Sequence, residues 1–194
     1  MKDFQVRVYT DLINEPVTVA EAKLFCKVTG TEEDELFVLL IQSARQQLEK
    51  YTQSSFGQKT LHATWVESRD DDTYELPYGP VIAVSAVYRI DDEGSEEAMT
   101  LNSDYYVYGD QDVKLKISRY WSSGVISTTS VRVEYTAGYG GSGVDTLPYP
   151  LKLALLKQVA TDYELRENIA PGGFGVLSND SKTLARPYRK KIWF

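Results

Sequence analysis

The apolar residues of this chain keep two different periods, and the change between them divides it. Phe37, Leu40, Ile41, Ala44, Leu48 and Tyr51 follow one another in steps of one, three or four. That spacing puts them on one face of an α-helix. Thr31 is placed to cap the helix, and Glu32, Glu33, Asp34 and Glu35 suit its positive end. A shorter helix precedes it. Thr18 and Glu21 have the spacing of a capping box, in which hydroxyl and carboxylate satisfy the first free amides. This helix is expected to run to about Val28, with Gly30 as a left-handed stop. At the start, FQVRVY alternates and predicts a short strand over Phe4–Tyr9.

In the middle the period falls to two. Ile82, Val84, Ala86, Tyr88 and Ile90 recur at every second residue, so 81–90 reads as a strand. Leu61–Glu67, Tyr105–Tyr108, Val113–Ile117 and Val131–Tyr135 add further strands. Turn formers separate them: RDDD at 69–72, PYGP at 77–80, DDEG at 91–94, YGDQD at 108–112 and SSG at 122–124. Short strands at this spacing predict a small antiparallel sandwich or barrel. After GYGGSGVDTLPYP the helical period returns, with Leu153, Leu156, Ala160 and Tyr163 between Leu151 and Arg166. APGGFG at 170–175 breaks it, and SKTLARPYRKKIWF reads as a helical turn followed by an extended tail.

No single helix can bury its stripe alone, so the three are expected to pack together. The fold class expected is therefore α+β: a three-helix core with an inserted antiparallel β-sandwich or barrel and an extended C-terminal tail. The divisions are 1–56 for the N-terminal strand and helical hairpin, 57–137 for the β insertion, 138–169 for a hinge and the third helix, and 170–194 for the tail.

Charge adds asymmetry to this pattern. The net charge is −7, yet Lys182, Arg186, Arg189, Lys190 and Lys191 close the chain with no acidic residue among them. Setting those five cations aside leaves −12 on the remainder. Such a body is a poor wrapper of DNA, which needs clustered Lys and Arg. No stretch approaches the about 20 apolar residues that span a bilayer, and residues 1–20 carry charges throughout, so neither a membrane span nor a signal peptide is expected. Cytoplasmic synthesis, or export inside a particle, is the resulting expectation. Cys26 is the only cysteine and lies among Leu24, Phe25 and Val28, where a buried, inert thiol is the better reading.

Catalytic chemistry is hard to place. His62 is the only histidine, sits in a predicted strand, and has no partner at metal-ligand spacing. A serine triad would need it as base, and no G-x-S-x-G elbow surrounds any serine. GYGGSG at 138–143 lacks the lysine of a phosphate loop and reads as a hinge. Asp70-Asp71-Asp72 and Asp91-Asp92-Glu93 lack the alternation of a calcium loop and read as solvated turns. Paired carboxylates for glycoside hydrolysis are a spatial matter, and nothing singles out a pair. No cofactor is expected. Fourteen tyrosines would also suit a carbohydrate-binding β-sandwich module. RPYRKKIWF would expose Ile, Trp and Phe unless they meet a partner or fold back onto their own core.

Several segments together resemble the head–tail connector (adaptor) family of long-tailed bacteriophages and gene transfer agents. The E-P-V-[ST]-x-x-E-A-K segment is matched by Glu15 to Lys23, and an acidic apolar helix with a closing Tyr-Thr pair by Asp34-Glu35-Leu36 to Tyr51-Thr52. Leu76-Pro77-Tyr78-Gly79-Pro80-Val81, Asp104-Tyr105-Tyr106-Val107 and Val131 to Gly140 match further strand motifs, and Leu184 to Arg189 matches the closing one. FQVRVY and the apolar last three residues depart from the pattern. The resemblance implies a non-enzymatic virion protein, assembled in the host bacterial cytoplasm. It implies a ring, typically dodecameric, under the portal at the head–tail neck, linked to a stopper or tail-completion protein and passing DNA through its lumen. It makes Arg186, Tyr188, Arg189, Lys190, Lys191, Ile192, Trp193 and Phe194 the expected portal contact. Another neck or tail-completion protein is the alternative within the virion.

Overall fold

In the computed structural model, residues 4–66, 73–109, 112–118, 128–140, 146–165 and 177–190 are described. Helices and antiparallel sheets are both present, so the fold is α+β. The acidic run at 70–72, SSG and APGGFG lie outside the described residues.

Strand β1 (Phe4–Thr10) leads into α1 (Val19–Cys26) and α2 (Asp34–Thr52). The Thr18–Glu21 capping box forms as expected, the Thr18 hydroxyl accepting from the Glu21 N–H at 3.2 Å. The stop differs: Lys27 takes the left-handed conformation at φ 58 and closes α1 before Gly30 is reached. The start of α2 differs too. Glu33 occupies the cap without a capping side-chain bond, its carboxylate accepting instead from the Tyr163 hydroxyl at 2.6 Å, and a backbone turn from Asp34 N–H to the Thr31 carbonyl (3.2 Å) comes first.

β2 (Lys59–Val66), β3 (Thr73–Glu75), β4 (Val81–Asp91), β5 (Glu96–Ala98), β6 (Tyr105–Tyr108), β7 (Lys114–Ile117) and β8 (Thr128–Ala137) form two sheets. One has five strands in the order β1-β2-β8-β4-β5; the other has three, β3-β7-β6. Leu61, Ala63, Trp65, Val87, Val131, Val133 and Tyr135 from the first face Tyr74, Tyr105, Leu115 and Ile117 from the second in one buried cluster. The two sheets therefore make a sandwich. β1 pairs along β2, from Phe4 opposite Trp65 to Val8 opposite Leu61, which crosses the division drawn at residue 56.

The alternation read along β4 does not hold in one phase. Register shifts between Val81 and Ala83 and between Val84 and Ala86 turn the strand, so Val87 and Arg89 are buried while Tyr88 stays half-buried. Each extra residue swaps the inward and outward faces for the rest of the strand.

α3 (Tyr149–Glu164) and α4 (Asn179–Ala185) complete a second cluster with Val17, Ala22, Phe37, Ile41, Ala44, Leu48, Phe56, Leu151, Ala154, Leu155, Val159 and Ala185. Burial of each large aliphatic side chain here contributes about 1.5–3 kcal/mol. The inner face of α3 is Leu151, Ala154, Leu155, Gln158 and Val159, not the one led by Leu153, which is exposed. Leucines at 151, 153, 155 and 156 offer two candidate stripes, and tertiary packing selects between them.

Where one helical turn and then an extended tail were expected, residues 179–188 form a helix and a 3-10 turn, and 191–194 lie outside the described residues. Ser178 caps α4, its hydroxyl accepting from the Ser181 N–H at 3.2 Å, and a 3-10 turn (Arg186–Tyr188) comes next. Ser181 and Ala185 are buried, and the Ser181 hydroxyl donates to the Ala154 carbonyl at 2.9 Å. A small-residue face against α3 explains a helix that apolar periodicity does not announce.

Candidate assembly surfaces

Arg45 is 2% exposed, so its charge must be met from within. Its Nε donates to Glu15 at 2.8 Å, and its terminal nitrogens reach Asp11 at 3.2 Å and Glu49 at 3.1 Å. Lys59, from β2, donates to Glu49 at 2.6 Å and lies 3.2 Å from Asp11. The second Glu49 oxygen accepts from the Phe56 N–H at 2.8 Å. This network joins the β1–α1 segment, α2 and β2, and thereby fixes the helical lobe against the sandwich. Burial works against the Arg45 charge, but Glu49, Glu15 and Asp11 outweigh it and raise its pKa. Burial alone would raise the Asp11 carboxyl; the Leu12 N–H, Lys59 and Arg45 prevail and hold it below its ordinary value.

Among the described residues, no group of three or more His, Cys, Asp or Glu side chains is placed to hold a metal ion. His62 belongs to the outer face of the large sheet. Its ring stacks on Tyr9 with centroids 4.6 Å apart, and its Nε2 lies 3.7 Å from Glu134. Glu134 continues to Arg132 at 3.3 Å, and Arg132 covers the Tyr88 ring at 4.6 Å and clasps Glu96. The chain of contacts crosses all five strands and acts as a cross-strand brace. Cys26 is half-buried; burial, and then Glu164, raise its thiol pKa, which disfavours the reactive thiolate.

The residues expected at a portal contact fall into two groups. Lys191, Ile192, Trp193 and Phe194 lie outside the described residues. Arg186, Tyr188, Arg189 and Lys190 are folded onto the body. Tyr188 packs on the helical cluster, and the Arg189 guanidinium sits over the Tyr51 ring at 5.3 Å. The Lys190 N–H donates to the Thr52 carbonyl at 2.9 Å, and its ammonium lies 3.2 Å from Asp112. Arg186 and Arg189 remain exposed, giving a fixed cationic platform at the seam between the lobes.

One surface escapes sequence reasoning. A groove of about 720 Å³ runs between the β1–α1 segment, the α2–β2 turn and the segment before α3, lined by Leu12, Pro16, Phe56, Tyr139 and Leu147. At its edges Ile13 is 95% exposed and Tyr149 88%. Both lie next to turn residues, where no periodicity marks a side chain as inward or outward.

A family model described as Phage gp6-like head-tail connector protein matches residues 16–120, more than half of the chain. No curated protein matches. A chain in the neck of an empty gene transfer agent (GTA) particle, computed with C6 symmetry, is similar with a TM-score of 0.75 and 21% identity, over 98% of this chain and 97% of that one. Chains in the virion of a native GTA particle (0.73, 21%) and in the neck of a native GTA particle computed with C12 symmetry (0.72, 20%) show the same coverage. Identity at this level carries the fold; the family model carries the membership. The chain is a structural, non-enzymatic protein and belongs to the phage gp6-like head-tail connector family.

Proposed function

We propose that this connector is a virion neck subunit, one of twelve in a ring seated under the portal, linking it to a stopper or tail-completion protein. The observation that carries this reading is the end-to-end likeness to chains of GTA necks, with 98% and 97% coverage, in a chain whose family is that of head-tail connectors. Neck structures treated with C6 and C12 symmetry favour a ring of twelve copies. The portal contact is assigned to Lys191, Ile192, Trp193 and Phe194, carried by the platform of Arg186, Tyr188, Arg189 and Lys190. Large apolar and cationic side chains of this kind anchor protein interfaces. Many weak contacts made together by one ring give strong avidity. The acidic remainder lines the DNA passage, where like charge keeps phosphate from sticking; a basic lumen in an assembled ring would refute this part.

The test is co-purification with the portal, comparing the full chain with a chain ending at Lys190. Recovery of the shortened chain is expected to fall at least tenfold. Equal recovery removes the C-terminal contact. Failure of the full chain to bind a portal removes the neck reading itself.

A further inference from the structure

The three-stranded sheet turns one face to the core and one to solvent. Tyr74 pairs across to Leu115, and both face inward with Tyr105 and Ile117, while Val107, paired with Leu115 on the edge strand, stays 37% exposed. The rows between face outward. Thr73 lies opposite Lys116, which lies opposite Tyr106; Glu75 lies opposite Lys114, which lies opposite Tyr108. Tyr106 is 47% and Tyr108 45% exposed. Among the described residues neither lysine forms an ion pair, although Glu75 stands directly across from Lys114. β6 is an edge strand of this sheet, and Leu101 and Val107 extend the exposed apolar area along it. Exposed tyrosines are typical of protein interfaces, and lysines beside them that meet no carboxylate among the described residues favour an acidic partner.

An acidic surface of matching character lies elsewhere on the same sandwich. The β4–β5 hairpin exposes Asp92, Glu93, Glu96 and Glu97. Its turn is held by Asp91, whose Oδ1 accepts from the N–H groups of Glu93 (3.0 Å) and Ser95 (2.8 Å). Of these four acids, Arg132 engages Glu96. The hairpin belongs to the five-stranded sheet and the Tyr–Lys face to the other, so one rigid sandwich presents both. A ring repeats a contact between two different surfaces of the same chain, each copy giving one and receiving the other.

We propose that the Tyr106–Tyr108–Lys114–Lys116 face receives the acidic β4–β5 hairpin of a neighbouring copy, and that this contact sets the order of subunits around the ring. The inference rests on the ring reading and adds the surface that makes it.

Charge exchange tests it. Lys114→Glu with Lys116→Glu reverses one face; Asp92→Lys, Glu93→Lys and Glu97→Lys reverse the other. All these side chains lie on the outer surface of the sandwich, and circular dichroism with thermal unfolding checks that each variant folds. Subunits per neck are counted by electron microscopy of particles assembled with each variant, and portal binding is measured in parallel. Each single-face reversal is expected to lower subunit incorporation at least tenfold with portal binding kept, and the chain carrying both reversals is expected to recover it. Normal incorporation of either single-face variant overturns the proposal. So does failure of the doubly reversed chain to recover. Absence of the unaltered chain from necks overturns the ring reading instead.

Discussion

Asp11 is the residue through which pH reaches the seam between the lobes. It is half in solvent, yet Arg45 and Lys59 behind it are nearly enclosed and need its charge. Because its folded pKa lies below the unfolded value, its contribution is fully present above the ordinary carboxylate range and is lost as pH falls through the folded value. Asp11→Asn should therefore lower the urea midpoint at neutral pH and flatten its decline on acidification; an unchanged pH profile would show that the carboxylate does not bear on the junction. Glu49 is the more enclosed acid of the group and carries both cations and a backbone amide. Arg45 and Glu49 stand four apart beside the apolar stripe of α2, a spacing visible in sequence. What sequence withholds is that Glu15, Asp11 and Lys59 converge on them, Asp11 from 34 residues before Arg45.

At the scale of elements, the link from β8 to α3 depends on Gly138. Its φ is +126, and a Cβ there would run into the Gly57 carbonyl. Gly138→Ala should cost about 3 kcal/mol or more in chemical denaturation, through both strain and displacement of the α2–β2 turn. A loss under about 1 kcal/mol would mean that the turn yields freely. Long, strongly periodic elements were legible: α2 shows its buried stripe of Phe37, Ile41, Ala44 and Leu48 in the spacing alone. Elements shaped by other elements were not. β3 and β5 have three residues each, too few for a period, and exist because β7 and β4 supply their partners. The bulges in β4 invert a phase that the sequence presents as unbroken. α4 arises from Ser178 as a cap and from Ser181 and Ala185 as small contacts, signals that announce no more than one helical turn in the sequence.

For the molecule as a whole, the position of a truncation decides what it measures. A cut after Asp180 removes Ser181 and Ala185 from the helical core and leaves the Ala154 carbonyl without its hydroxyl partner. A cut after Lys190 leaves all of these in place. Thermal unfolding should therefore show the chain ending at Asp180 clearly destabilised, by about 2 kcal/mol or more, and the chain ending at Lys190 close to the full chain. Equal melting of the two shortened forms would mean that α4 adds nothing to the core. The candidate surfaces were legible in proportion to their composition. The basic closing segment declares itself by charge, whereas Ile13 sits in irregular backbone and Tyr149 opens α3, and there only the folded chain decides what reaches water.

Lys190 holds the last described residues to both lobes, by its amide to the end of α2 and by its ammonium to the segment before β7. A pull on the chain beyond it is thus shared between a helix and a sheet, each loaded at its own anchor. Tension delivered there meets the helix and the sheet at once, and a clasp loaded in parallel holds more than either strap.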